Sequence, residues 1–139
     1  METARTDKFV MIRLDHGEDI LGSVSNAVRE ETSTMLVATG LGMISDFELG
    51  FFDQGIYIKR SYDEPHELLA LQGSISTAGE PRIHIHATVA NKEHQAFGGH
   101  LMRGKAWMSN EIGMVRLDGV KSVREYDSAK TVGILHIKR

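Results

Sequence analysis

The stretch RIHIHATVANKEHQAFGGHL, residues 82–101, holds four of the seven histidines of the chain and its one Gly-Gly pair. Successive side chains on a strand point to opposite faces. In RIHIHATV that places Ile83, Ile85, Ala87 and Val89 on one face, against a core, and Arg82, His84, His86 and Thr88 on the other. Positions i and i+2 on a strand lie roughly 6.6 to 7 Å apart, close enough for two imidazoles to converge on one ion at nitrogen distances of about 2.0 to 2.1 Å. An open tetrahedral site takes three protein ligands, so a third donor is needed, and His100 is the candidate. It follows Gly98 and Gly99, which lack Cβ atoms and let the backbone approach a neighbouring strand closely. NKEHQAFGG has the length of a loop that returns the chain beside the strand it left, and His94 falls among its polar residues. On the residues alone, the same alternation also describes an ordinary solvated sheet face.

Outward from this segment, strand-like runs dominate. MLVATGLGMI, FELGFF, GIYIKR, HELLALQGSIS, HLMRGKAWM, EIGMVRL and TVGILHIKR are short, apolar or β-branched, and separated by turn residues. One segment differs. After the strand KFVMIRL and a DHG turn, Ile20, Leu21, Val24, Ala27 and Val28 recur at helical spacing, with Asp15 placed to cap and Glu18 three residues on. The expectation is an α+β domain: one main early helix and a mixed, largely antiparallel sheet, with residues 1–7 a flexible N-terminal tail and 8–139 a single compact domain. No fixed-period repeat, linker or low-complexity tract interrupts it.

The 139 residues, 41% of them hydrophobic, suffice for one core. No stretch approaches the roughly 18 apolar residues of a membrane helix, and residues 1–8 contain no apolar signal-peptide run, so a soluble cytoplasmic protein is expected. There are no cysteines, which excludes disulfides, thiolate metal sites and a cysteine nucleophile. A soft-metal site must therefore rest on histidine, and imidazole suits zinc, nickel, copper and iron alike. A net charge of −3 with scattered Lys and Arg gives no electrostatic footprint for strong autonomous DNA binding.

Taken in order, several segments resemble the plant-and-prokaryote-conserved (PPC) domain family: LDHGEDILGSVSNAVREE, ATGLGMISDFELGFFD, HELLALQGSIS and GEPRIHIHATVANKEHQAFGGHL, which lie between residues 14 and 101 within a resemblance that extends over residues 8 to 137. The resemblance implies a compact α+β domain that assembles as a homotrimer. It also implies that His84, His86 and His100 ligate one divalent transition metal per subunit, zinc foremost. Plant members add a basic Arg-Gly-Arg-Pro hook for DNA, and this sequence contains no such tetrapeptide.

Two function classes follow once a purely structural metal domain is set below them, since structural zinc sites are usually closed by four protein ligands. In one, the domain is a regulatory module whose metal or pocket recognises a small-molecule or protein ligand, with a link to transcriptional control. In the other, it is a metal-dependent hydrolase or lyase acting on a small molecule at the open coordination position. The enzyme needs a general base near that position, for which Glu67 and Glu111 are the candidates. An apolar lining there favours the binding module. The Gly-Leu-Gly at 40–42 lacks the third glycine and the βαβ setting of a dinucleotide site.

Overall fold

A computed structural model describes residues 1–138. Strands β1 (Glu2–Arg5) and β2 (Phe9–Asp15) lead into a single helix α1 (Ile20–Ala27), and eight strands follow. These are β3 (Met35–Asp53), β4 (Ile56–Tyr62), β5 (His66–Ile75), β6 (Ala78–Gly79), β7 (Ile83–Ala90), β8 (Ala96–Arg116), β9 (Lys121–Asp127) and β10 (Val132–Lys138). The α+β expectation thus holds in its coarse form: a mostly antiparallel sheet with one short helix, richer in strand than a balanced α+β domain.

The larger sheet runs β1-β2-β8-β7-β5-β3-β4, and β8 pairs with β3 as well. The pairings β8-β7-β5-β3 therefore close on themselves, which removes free edges from the centre of the fold. Closure requires long, bent strands. The runs expected as separate strands at 35–44 and 47–52 are one strand, β3, and those at 100–108 and 111–117 lie within β8, apart from Leu117. Register shifts at Gly42/Met43 and Ser45/Glu48 bend the β3–β8 ladder, and Asp46 and Met108 take positive φ angles of 50° and 63°. Bulges of this kind curve a strand without ending it, so turn-forming residues here mark bends.

Inside the closed sheet lie Ile12, Leu14, Ile44, Phe47, Leu71, Ile85, Leu101 and Ile112, all fully or nearly fully buried. Helix α1 covers one end with Ile20, Val24 and Ala27, the i, i+4, i+7 stripe of a short amphipathic helix. Its N-cap is Asp19, whose carboxylate accepts the Gly22 N–H; Asp15 lies in β2. Glu18 instead reaches back to accept the Asp15 N–H at 2.7 Å and shapes the turn before the helix.

Residues 2–5, expected as part of a flexible tail, form a strand paired antiparallel with β2, with Glu2 opposite Arg13 and Arg5 opposite Val10. ETAR is exposed along its length, so it has no apolar alternation to betray it, and polar composition is how edge strands resist aggregation. A smaller sheet, β10-β9-β6, joins the C-terminal hairpin to β6 through the short parallel pairing of Ala78 with Val123 and Gly79 with Arg124. Among the described residues no helix is long and apolar enough to cross a membrane.

Candidate metal centre

Strand β7 lies between β5 and β8, and two glycines let its neighbours close on it. A Cβ on Gly73 of β5 would stand 2.1 Å from the His84 carbonyl oxygen, and one on Gly98 of β8 would stand 2.4 Å from that of Ala87. Gly99 faces the other way, where a Cβ would lie 2.9 Å from the Gly50 carbonyl oxygen of β3. The β7–β8 turn is held by the Asn91 side chain, which accepts the N–H groups of Glu93 and Gln95. That turn sets the register in which His86 sits directly opposite His100.

Cross-strand partners on one face bring their side chains together. His84, two residues before His86, shares that face, and one ring nitrogen from each of the three histidines lies within 4.8 Å of the others. His84 Nε2 and His86 Nε2 are 3.0 Å apart, and the ring centroids are separated by 4.9 to 5.5 Å. Two nitrogens bound to one tetrahedral ion at about 2.0 to 2.1 Å stand roughly 3.3 Å from each other, close to the separation seen. The His100 Nδ1 atom is buried without a hydrogen-bond partner, as a ring nitrogen awaiting an ion or a ligand would be. Tyr57 packs on the His100 ring, centroids 4.9 Å apart, and restrains it.

Metal ligation requires neutral imidazole. Burial, followed by the charges of His100, Arg124 and His86, lowers the His84 pKa to about 4. Burial is also the first cause depressing His100, with His86 and Arg124 adding to it. Both rings are thereby kept unprotonated at neutral pH. The donor set and its electrostatics fit a divalent transition metal with a vacant side.

The other sequence candidates lie elsewhere. Glu67 is exposed and pairs with Ala90, four positions along β7 from His86, or about 13 Å along the strand. Glu111 is exposed and pairs with Arg13 and Leu41, eleven residues beyond His100 on β8. Within the chain neither lines the space beside the histidines, where a general base would have to stand. His94 is exposed at the turn, His16 packs on Trp107, His66 is buried among Phe47, Tyr62 and Phe97, and His136 lies near Glu125.

A cavity of about 360 Å³ opens beside His84 and His100, walled by Phe52, Tyr57, Met102 and Arg124 among others. Its C-terminal side comes from β9 and β10. Sequence reasoning overlooked Arg124, yet the alternation in KSVREYD puts Ser122 and Arg124 on the inward face, and both are buried. The acid in the cavity wall, Glu80, is exposed and makes no hydrogen bond to the histidines among the described residues.

Among curated proteins the chain is 30% identical over 134 residues to the bifunctional protein GlmU of a Synechococcus strain, covering 94% of this chain but spanning only 20% of that protein's length. Three solved structures share the fold. A PPC protein of Pyrococcus horikoshii superposes with a TM-score of 0.83 at 24% identity, covering 99% of this chain and 95% of its own. A metal-containing protein of Archaeoglobus fulgidus gives 0.81 at 24% identity, with 96% and 94% covered. A Bacteroides thetaiotaomicron protein provisionally described as DNA-binding gives 0.86 at 20% identity, with 99% and 98% covered. Identities this low speak for the fold alone. The family assignment rests on the model of the Plants and Prokaryotes Conserved (PCC) domain, which matches residues 1–118, and the chain belongs to that family.

Proposed function

We propose that the protein binds one divalent transition metal per subunit, zinc foremost, through His84, His86 and His100, and that the vacant side of this centre recognises a ligand as part of a regulatory module. The observation that carries the reading is the convergence of three ring nitrogens within 4.8 Å on one sheet face, two of them from residues directly opposed across β7 and β8. A bound ion would supply a Lewis-acidic position open to an oxygen donor. The histidines orient that position, and Tyr57, Phe52 and Met102 make its surroundings apolar. The metal-containing relative from Archaeoglobus fulgidus supports metal binding.

Ligand recognition is favoured over hydrolysis or elimination because the carboxylates expected to act as base, Glu67 and Glu111, stand away from the histidines. A homotrimer accounts for apolar side chains left exposed on the outer sheet face: Phe9 and Met11 on β2 and Leu36 and Leu41 on β3, 41 to 56% exposed. Cytoplasmic residence fits the cysteine-free composition. Any link to transcription runs through partners, since a net charge of −3 provides little phosphate affinity.

Metal analysis of protein purified without a histidine tag tests the reading. Close to one transition-metal ion per subunit is expected in the wild type and none in His86→Ala. A wild type that stays metal-free after incubation with zinc would refute it.

A further inference from the structure

Arg124 is 6% exposed, and its guanidinium is nearly unpartnered. Nη2 donates to Ser74 Oγ at 3.0 Å, while Nε is buried with no acceptor. Among the described residues no acid forms an ion pair with it. A buried cation without a counter-charge is costly, and proteins ordinarily pair it.

The fold nevertheless holds this side chain in place. Its backbone is clamped between β6 and β10, where a Cβ on Gly79 would stand 2.0 Å from the Arg124 carbonyl oxygen. Its stem lies over Gly133, where a Cβ would come within 3.2 Å of Cγ and 3.3 Å of Cδ. Ser74, which receives its one side-chain hydrogen bond, is the cross-strand partner of His84. Arg124, His84 and His100 share a cavity of about 360 Å³, within the usual range for small-molecule sites of about 300 to 1,000 Å³. Arg124 lies beyond the 1–118 span of the family match.

We propose that this cavity binds a small organic carboxylate, its carboxylate paired with Arg124 and its apolar body lying along Phe52, Tyr57 and Met102 toward His84 and His100. The planar guanidinium fork matches a carboxylate, and the aromatic and thioether wall selects an organic body over an inorganic anion. This inference names the ligand class for the metal-binding reading and rests on it for the role of the histidines. The Arg124 contact itself does not depend on an ion being bound.

Benzoate and its neutral isostere benzamide are suitable probes, titrated calorimetrically into zinc-treated and metal-stripped protein. Benzoate is expected to bind at least about tenfold more tightly than benzamide, in line with a charge-assisted pair. In Arg124→Gln, benzoate affinity should drop about tenfold or more while zinc content stays at the wild-type level. Absence of benzoate binding, equal affinity for the two probes, or wild-type benzoate affinity in Arg124→Gln would each overturn the proposal. The probe comparison on the wild type decides the matter even if the variant misfolds. A wild type that takes up no zinc but still prefers benzoate would refute the metal reading and leave the arginine site standing.

Discussion

Gly98→Ala is a single methyl group placed where two strands meet. In an ordinary strand this change stabilises by roughly 0.5 to 1 kcal/mol, because alanine loses less backbone freedom on folding. Here the new Cβ would lie 2.4 Å from the Ala87 carbonyl oxygen, 3.2 Å from Thr88 Cα and 3.3 Å from the Ala87 carbonyl carbon. Real Cβ contacts do not fall below 3.0 Å, so β7 and β8 must part by about 0.6 Å, and all three close atoms are backbone with no rotamer to yield. Overpacking of this kind costs about 1 to 3 kcal/mol. The displaced pair, Gly98 with Thr88, is two rungs from His86 with His100, so the ligand rings move apart too. Coordination tolerates shifts of about 0.2 Å, and zinc affinity should fall about 10- to 100-fold, as when ligand support is lost. Denaturant melts of the metal-free protein and zinc titration against a chromophoric chelator read the two effects separately. A Gly98→Ala protein as stable as the wild type, with unchanged zinc affinity, would refute the close-approach account.

The depressed histidine pKa values carry a pH dependence. In the unfolded chain the His84 ring titrates near its ordinary 6.5, but in the metal-free folded protein it stays neutral to about 4, so the unfolded state binds more protons between those values. Stability of the metal-free protein should accordingly be highest above pH 6.5 from this group, decline as pH falls toward 4, and level off below; melts that are flat across the window would contradict the burial of His84. Phe47→Ala removes a fully buried ring stacked 4.9 Å from Tyr62 and edge-on to His66, and equilibrium unfolding should show a loss of about 3 to 5 kcal/mol. A loss below about 1 kcal/mol would mean that this end of the core collapses around the gap.

Much of the histidine strand was legible in advance. Alternation alone assigns the faces of residues 82–89, and Ile85, Ala87 and Val89 are indeed buried while His86 and Thr88 are exposed. What periodicity could not convey is where long strands bend. Asp46 and Asn110 carry the chemistry of turns, yet each lies inside a continuous strand; buried Asn110 uses its amide to donate to the Met43 carbonyl across the bend at 2.8 Å. The inward-pointing Arg124 was hidden for another reason. An arginine in a mixed-charge run reads as solvated, and only the packing of the C-terminal hairpin over the histidine face shows that it is enclosed. Glu67 and Glu111 went the opposite way: both belong to strands of the same sheet, but register carries them away from the histidines.

X-ray absorption at the zinc edge, recorded on tag-free protein after zinc uptake, probes the meeting of the three rings most directly. Three imidazole nitrogens near 2.0 to 2.1 Å with one further light-atom donor are predicted, falling to two imidazoles or to no bound zinc in His100→Ala. A shell of oxygen donors without imidazole scattering, or a spectrum that His100→Ala leaves unchanged, would contradict the account.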